Sequence, residues 1–167
     1  NNGFDFRKIM YPTLTKKYFN KDYLIAGNLN AKHKIVIFSD PLCPICIETM
    51  PELIKDVKAN PTILSLYYIH MPLDMHPTAK LITKASILAK QQGIKDIDYK
   101  VYTAKFEDEF DPYEEKNKQK VLNIFNKKFN TKITLKQLNN KALIEDIKYH
   151  KKLSNEAFVQ GTPTIFF

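Results

Sequence analysis

A pair of cysteines, placed where a predicted strand gives way to a predicted helix, constrains this chain more than any other feature. Residues 34–38 form a short β-branched run, Lys-Ile-Val-Ile-Phe, which is typical of a buried strand. The segment Ser39-Asp40-Pro41-Leu42-Cys43-Pro44-Ile45-Cys46 follows at once, and apolar residues then recur at helical spacing until Asn60-Pro61. Cys43 and Cys46 are the only cysteines, so they cannot supply a disulfide framework or a four-thiolate zinc site.

The rest of the pattern surrounds this junction with one further strand, a long helical block and a closing strand. A second strand is predicted over residues 63–70, and because a helix connects it to the first, the two strands should be parallel. Residues 74–157 carry apolar residues at helical spacing and contain no strand candidate. A Gly161-Thr162-Pro163 turn then leads into a short strand run. The predicted helices of the block cover residues 78–92, about 113–129 and 134 to about 159, and residues 94–102 are ambiguous.

The spacing and position of the cysteines predict a dithiol exchange centre. Cys43 falls at the predicted helix N-terminus, where free backbone N–H groups and the positive end of the helix dipole stabilise a thiolate. A thiolate is the form that attacks a disulfide sulfur, and Cys46, one turn later, can attack the resulting mixed disulfide. Pro44 is tolerated in the first turn because its missing N–H would have no helical partner there. We expect no metal or nucleotide cofactor, since the redox equivalents of such a centre reside in the two sulfurs.

Three other interpretations of the two cysteines stay open. They could form a structural disulfide, although closing so short a loop removes little entropy from the unfolded chain. They could join two histidines in a zinc site, or they could be ordinary buried thiols. The corresponding alternative function is a binding module without redox turnover, either a chaperone-like holdase or a zinc-tethered adaptor. The histidines available for a zinc site are His33, His70, His76 and His150.

The formal net charge is +8, but its distribution argues against nucleic acid as a partner. Arg7 is the only arginine, and arginine is the residue suited to bidentate contacts with bases and phosphates. The lysines are dispersed among acidic residues, which is typical of a solvated surface. No stretch of the sequence approaches the roughly 20 apolar residues that a membrane-spanning helix needs.

Two polar residues near the junction have less specific predictions. Asp40 precedes Pro41 and is expected to cap or turn the loop before Cys43, with proton transfer for a buried Cys46 as the alternative. His70 ends the second predicted strand and is expected to be structural, with a place in an active cleft as the alternative.

The two motifs together resemble the thioredoxin superfamily, in which a cis-proline loop packs beside the active cysteines. Here the first motif is Cys43-Pro44-Ile45-Cys46, and Thr162-Pro163 follows about 120 residues later. The helical block between them resembles the insertion of the Dsb oxidoreductases of the bacterial periplasm. Within that group, the stretch 38–46 and the segment His76-Pro77-Thr78-Ala79 are most similar to the DsbG branch and less closely similar to the DsbC branch.

DsbA-like oxidases are the next nearest group, and three positions separate this chain from them. DsbA proteins carry a buried Glu before the first cysteine, His as the second intervening residue and Val before the cis-proline. This chain has Ile37, Ile45 and Thr162 at the matching positions. The resemblance therefore favours the DsbG and DsbC branches.

The resemblance implies an α/β thioredoxin fold with a helical insertion between the β-α-β unit and the cis-proline strand. It implies an N-terminal linker or extension over residues 1–33 and an insertion over residues 74–157. The thioredoxin-fold domain would then consist of residues 34–73 and 158–167, and we expect it to be C-terminally incomplete.

The function that the resemblance implies is periplasmic thiol:disulfide exchange with exported proteins, as an isomerase, a reductase or an oxidase. Cys43 would be the nucleophile, Cys46 the resolving thiol, and Thr162 with Pro163 the platform that pairs with the substrate backbone. The expected substrates are unfolded or misoxidised exported proteins, and the expected redox partner is a DsbD-like or DsbB-like membrane protein. A homodimer formed through an N-terminal region outside this sequence is a further expectation.

Overall fold

The computed structural model describes residues 13–167, so the first part of the predicted N-terminal extension lies outside the described residues. Strands and helices alternate at first and give way to a helical block before the last strand. No helix among residues 13–167 is both long enough and apolar enough to cross a bilayer. The elements in chain order are β1 (Leu24–Gly27), β2 (His33–Ser39), α1 (Pro44–Ala59), β3 (Leu64–His70), α2 (Ala79–Gln91), α3 (Ile97–Tyr102), α4 (Lys118–Phe129), α5 (Leu135–Leu138), α6 (Lys141–Glu156) and β4 (Thr164–Phe166).

The four strands form one sheet in the order β1-β3-β2-β4. β2 and β3 run parallel, in register from His33 opposite Leu64 to Ser39 opposite His70. β4 lies antiparallel to β2 on the other side of that strand. The predicted parallel β-α-β unit and the predicted closing strand are therefore confirmed. The carboxyl ends of β2 and β3 meet at one edge of the sheet, and the loop to the cysteines starts there.

Strand β1 is an addition that the sequence pattern did not predict. It lies antiparallel to β3, within the range predicted to be an N-terminal extension. Four residues without a long β-branched run give a weak local signal, and it is the pairing with the edge of β3 that makes them a strand. Gly27 ends β1 at a φ of +78°, and a Cβ built there would collide with the Leu64 carbonyl oxygen.

The helical block is free of strands, as predicted, but its second helix begins later than the periodicity indicated. α4 begins at Lys118 rather than at Tyr113. The reason is a cap: the Asn117 side chain accepts a hydrogen bond from the Lys120 N–H at 3.0 Å. Upstream of this cap, Asp111 accepts a hydrogen bond from the Tyr113 N–H at 2.9 Å, which forms a turn instead of a helix.

The third predicted helix is two helices, α5 and α6, and the ambiguous segment supplies α3. The break falls at Asn140, whose side chain accepts a hydrogen bond from the Ala142 N–H at 2.8 Å and caps α6. α6 ends at Glu156 rather than near residue 159. Asparagine side chains therefore set helix boundaries that apolar spacing alone does not reveal.

Both faces of the sheet are covered by helices. Along β2, Ile35 and Ile37 pack with α1, whereas Val36 and Phe38 point to the other face and pack with α6. This alternation follows from the two-residue period of side chains along a strand. The insertion helices form a further apolar cluster, which also buries Leu42 from the loop after β2.

The predicted α/β architecture, with its helical insertion between the β-α-β unit and the last strand, is confirmed. The domain boundaries proposed after residues 33, 73 and 157 stay a prediction.

Candidate active site

Cys43 and Cys46 lie at the first turn of α1. Cys43 is the N-cap residue, and its carbonyl oxygen accepts a hydrogen bond from the Ile47 N–H at 2.9 Å. Pro44 is the first helical residue, as its missing N–H predicted. Both cysteines are free thiols, but Cys43 is 6% exposed and Cys46 is completely buried. In this arrangement the Cys43 sulfur can contact a substrate disulfide. The buried Cys46 sulfur can then attack the Cys43 sulfur from the interior of the protein.

The two thiols have different electrostatic surroundings. At Cys43, the free N–H groups of the first turn of α1 and the helix dipole favour a negative charge. Burial raises the pKa of Cys46 to about 11. Neighbouring polar groups, the Asp40 backbone first among them, oppose part of this rise in pKa. Cys46 is therefore protonated at neutral pH, and it must lose its proton in order to attack a disulfide.

Thr162 and Pro163 lie beside the first cysteine. The peptide bond between them is cis, as the resemblance implied. The Cys43 thiol donates a hydrogen bond to the Thr162 carbonyl oxygen, with 3.5 Å between sulfur and oxygen. β4 follows directly and pairs with β2, which anchors this loop next to α1. The residues of the two predicted motifs are thus brought together, while their roles in exchange and in substrate binding stay predictions.

Pro44 and Ile45 form the outer surface of the first motif. Both residues are exposed, and Ile45 has 61% of its surface open to solvent. An apolar side chain next to a thiol offers a contact for an apolar segment of a protein substrate. Ile45 carries no charge that could act on Cys43.

Asp40 ties the loop before Cys43 to the loop after β3. Its side chain is completely buried, and Oδ1 accepts a hydrogen bond from the Leu42 N–H at 2.7 Å. Oδ2 accepts a hydrogen bond from the Leu73 N–H at 2.7 Å and lies 2.9 Å from Nδ1 of His76. The predicted role of Asp40 in shaping the loop is confirmed. Its contact with His76 was beyond the reach of sequence reasoning, because the partner belongs to a different loop.

Two of the four histidines form a buried pair of their own. The backbone N–H of His70 donates a hydrogen bond to Nδ1 of His150 at 3.1 Å. Burial lowers the pKa of His70 to about 3 and the pKa of His150 to about 2, so both rings are neutral at physiological pH. Among residues 13–167, no group of three or more His, Cys, Asp and Glu side chains is arranged to hold a metal ion. The zinc-site interpretation of the cysteines therefore lacks a ligand set in the described part of the chain.

A chain of buried hydroxyls runs from Ser39, at the end of β2, into the core. The Tyr102 hydroxyl donates a hydrogen bond to Oγ of Ser39 at 2.8 Å, and the Tyr68 hydroxyl lies 2.7 Å from the Tyr102 hydroxyl. Burial raises the pKa of both tyrosines well above the usual range, so the hydroxyls stay neutral. Sequence reasoning missed these residues. Tyr102 lies in the ambiguous segment, Tyr68 looked like an apolar strand residue, and the position of Ser39 before the motif was the one local signal.

The comparisons with known proteins agree with this architecture. The family model described as Thioredoxin matches residues 20–167. A thioredoxin-like oxidoreductase from Silicibacter pomeroyi DSS-3 has a similar structure, with 20% identity and a TM-score of 0.67 over 92% of this chain and 85% of that chain. A periplasmic thioredoxin-like protein from Salmonella enterica serovar Typhimurium also has 20% identity and a TM-score of 0.67, over 90% of this chain and 81% of that chain. DsbA2 from Pseudomonas aeruginosa has 21% identity and a TM-score of 0.60, over 86% of this chain and 78% of that chain.

None of the curated proteins matches the chain. The solved structures, at these identities, show a shared fold, and the family match extends over most of the sequence. The resemblance that the Cys-x-x-Cys and Thr-Pro motifs indicated is confirmed at this level. The chain therefore belongs to the thioredoxin family.

Proposed function

We propose that this thioredoxin-family protein is a thiol:disulfide oxidoreductase that exchanges disulfides with exported proteins in the bacterial periplasm. The observation that carries the proposal is the placement of Cys43 at the N-cap of α1, with its sulfur 3.5 Å from the Thr162 carbonyl oxygen. Cys46 lies one turn further along α1 and behind Cys43. Periplasmic location is supported by the DsbG-like motifs and by the structural similarity to the periplasmic thioredoxin-like protein from Salmonella enterica.

Exchange begins at Cys43. Its thiolate attacks one sulfur of a substrate disulfide, so that a bond between Cys43 and the substrate forms and the other substrate sulfur leaves as a thiolate. Cys46 then loses its proton and attacks the Cys43 sulfur, which forms the Cys43–Cys46 disulfide and releases the second substrate thiolate. The substrate gains the two electrons that the two cysteines lose. The reverse sequence of steps transfers the disulfide to a substrate.

Thr162 and Pro163 are proposed as the substrate platform. They lie beside Cys43 and lead into β4, which is the last strand on its side of the described sheet. An extended peptide can add to the edge of a sheet by backbone hydrogen bonding, with little demand on its sequence. Unfolded or misoxidised proteins present such extended segments, which fits them as substrates.

The isomerase or reductase direction is proposed over the oxidase direction. Ile45 supplies no positive charge to the thiolate of Cys43, and the Thr162 carbonyl oxygen faces the same sulfur with its negative end. Both features favour the thiol and make a dithiol pair less oxidising. A DsbD-like membrane protein would then keep the pair reduced, whereas an oxidase would need a DsbB-like partner.

Turnover of insulin or of a scrambled disulfide protein tests the proposal. We expect Cys43→Ser to abolish turnover and Cys46→Ser to accumulate mixed disulfides that appear on a non-reducing gel. Lys55→Ala, on the exposed face of α1, is the control and should leave turnover unchanged. Turnover that persists in Cys43→Ser would overturn the proposal. A binding module would be favoured by two results together. The unchanged protein would show no turnover, and the double Cys→Ser variant would still suppress the aggregation of unfolded proteins.

The direction of exchange has its own test. The redox state of the pair inside cells can be measured by thiol alkylation and a gel shift, and its reduction potential by titration with glutathione. A pair that is mostly reduced in cells supports the isomerase or reductase direction. A pair that is mostly oxidised indicates an oxidase.

A further inference from the structure

A cavity in the helical insertion is lined by neither of the two cysteines. Its volume is about 220 Å³, and its wall consists of the first two turns of α2, the start of α4 with the residues before it, and the short helix α5. We propose that this cavity binds a small organic anion, in which a carboxylate or phosphate group is joined to a short apolar body. The site is separate from the cysteines, so the proposal does not rest on the proposed function.

The inner wall of the cavity suits an apolar body. Leu81 of α2 and Leu135 and Leu138 of α5 line it. Leu81 and Leu138 belong to the apolar cluster of the insertion, and Leu135 packs against that cluster. A methylene group is about as large as a water molecule, which occupies about 30 Å³ in the liquid, so 220 Å³ has room for about seven such groups. The cavity therefore fits a short alkyl chain and is too small for a helix or a strand of a partner protein.

Three lysines on the cavity wall have no acidic partner in the described part of the chain. Lys80 and Lys84 are four residues apart on α2 and therefore lie on one side of that helix. Lys118 is the first residue of α4, and all three residues line the cavity. None of the ion pairs among residues 13–167 involves any of the three. Their positive charges are therefore available to a ligand.

The three charges are close enough to affect one another. Burial lowers the pKa of Lys84, and the positive charges of Lys80 and Lys118 lower it further. Like charges on the wall of one cavity repel each other, and a bound anion offsets this repulsion by attracting all of them. The lysines therefore favour an anion at the cavity.

Two helices begin at the cavity and add to its positive field. Thr78 is the N-cap residue of α2, which has 13 residues, and Lys118 is the first residue of α4, which has 12. Both residues line the cavity. The first N–H groups of a helix have no acceptor within the helix, and the positive end of the helix dipole lies there. Helix N-termini bind carboxylate and phosphate groups for this reason.

The Thr78 hydroxyl is a polar group that the described fold does not use. A threonine at an N-cap commonly accepts a hydrogen bond from the first turn of its helix, but the Thr78 side chain makes no such bond. Thr78 is 4% exposed, and its Oγ1 has no hydrogen-bond partner within residues 13–167. A buried hydroxyl without a partner is energetically unfavourable. An anionic group bound beside Thr78 would accept a hydrogen bond from it.

The acidic residues at the cavity do not cancel its positive charge. Glu115 lines the cavity, whereas Glu114 forms an ion pair with Lys116, which also lines it. Apart from that pair, the wall contains three lysines and one carboxylate. The wall is therefore net positive, which favours anions over neutral molecules and cations.

The proposal can be tested by titrating the ¹⁵N-labelled protein with hexyl phosphate and, separately, with hexanoate. Both probes join an anionic group to an alkyl chain that fits the cavity, and the tighter binder identifies the preferred head group. We expect saturable shifts of the amide signals of Leu81 and Lys118. The ligand controls are 1-hexanol, which lacks the charge, and inorganic phosphate, which lacks the apolar body. Each control should bind at least about tenfold more weakly than the better probe.

Two variants test the lysines, and a third is their matched control. We expect Lys84→Gln and Lys118→Gln each to weaken binding of the better probe by about tenfold or more, because hydrogen bonds between charged groups are the stronger ones. Lys120→Gln is the control, since Lys120 is an exposed residue of α4 that does not line the cavity. It removes the same charge from the protein and should leave the affinity unchanged.

Three results would count against the proposal. Amide signals of Leu81 and Lys118 that do not respond to either probe would overturn it. Binding of 1-hexanol or of inorganic phosphate as tightly as the better probe would refute the ligand class. Equal weakening in Lys120→Gln and Lys84→Gln would show general charge attraction instead of a site. Turnover of disulfides is measured in a separate assay, so these results leave the proposed function in place.

Discussion

The sulfur of Cys43 lies 3.5 Å from the carbonyl oxygen of Thr162, across 119 residues of sequence. The carbonyl oxygen accepts a hydrogen bond from the thiol but repels the charge of the thiolate. The N-terminus of α1 acts on the same sulfur in the opposite sense, because its free N–H groups favour the thiolate. The redox behaviour of the pair therefore depends on how these two backbone features balance at one atom.

A positive charge at position 45 should shift this balance. Ile45 is 61% exposed, so Ile45→His can be accommodated without repacking the core. The charged imidazole would stabilise the thiolate of Cys43, and with it the reduced form of the pair. We expect the reduction potential, measured against glutathione at pH 6, to become about 30 mV or more higher. Ile45→Gln is the uncharged control, and an equal shift in both variants would show that charge is not the cause.

Removal of the Asp40 side chain should destabilise the protein. Asp40→Ala leaves the N–H groups of Leu42 and Leu73 without their acceptor in a buried site and leaves His76 without its partner. We expect the free energy of unfolding in urea to fall by about 2–4 kcal/mol. Asp56→Ala, on the exposed face of α1, should change it by less than about 0.5 kcal/mol. Equal losses in the two variants would contradict the structural role of Asp40.

The reduced protein should lose stability in alkali because of Cys46. Burial raises the pKa of its thiol from 9.0 to about 11. The folded state therefore holds this proton more tightly than the unfolded chain does, and its stabilising effect is complete below pH 9 and is lost as pH rises through 11. Two pKa units correspond to about 2.7 kcal/mol. Urea unfolding from pH 8 to 11 should show this loss in the reduced protein.

The oxidised protein is the matched control for this prediction. Its Cys43 and Cys46 have no proton to lose, whereas the buried tyrosines titrate in both forms. The difference in slope between the two forms therefore comes from the two thiols, and the same comparison between Cys43→Ser and the double Cys→Ser variant isolates Cys46. Parallel curves for the reduced and oxidised proteins would contradict the burial that the structure assigns to Cys46.

Acid should destabilise the protein through the His70–His150 pair. Burial holds the pKa of His70 at about 3 and that of His150 at about 2, below the ordinary value of 6.5. A histidine with a lowered pKa stabilises the folded state above pH 6.5, and this contribution is lost as pH falls. For each such histidine, the free energy of unfolding falls by about 1.4 kcal/mol per pH unit as the pH is lowered. His150→Gln should flatten the dependence of unfolding free energy on pH between 6.5 and 4.

The control for the histidine prediction is His33→Gln, since His33 is exposed at the start of β2. This variant should keep the full loss of stability in acid. The amide oxygen of glutamine at position 150 can still accept a hydrogen bond from the backbone N–H of His70, so the variant should fold. A pH dependence that is the same in both variants would rule out the buried pair as its cause.

Much of the fold was predictable because its signals are local. The strand before Cys43, the helix after it and the second parallel strand follow from side-chain periodicity within short windows. The same holds for the chemistry of a Cys-x-x-Cys at a helix N-terminus. The four-residue strand β1 and the break between α5 and α6 were not predictable in this way. The first depends on pairing with β3, and the second on capping by Asn140.

The sequence by itself determined the two motifs, Cys43-Pro44-Ile45-Cys46 and Thr162-Pro163, and the order of strands and helices between them. Only the tertiary structure decided what surrounds the sulfurs. The Asp40–His76 contact joins residues 36 apart, and the links of the hydroxyl chain join Tyr68 to Tyr102 over 34 residues and Tyr102 to Ser39 over 63. Protonation of a buried thiol depends on desolvation and on hydrogen bonds made in space, and no short sequence window contains both partners of such a bond.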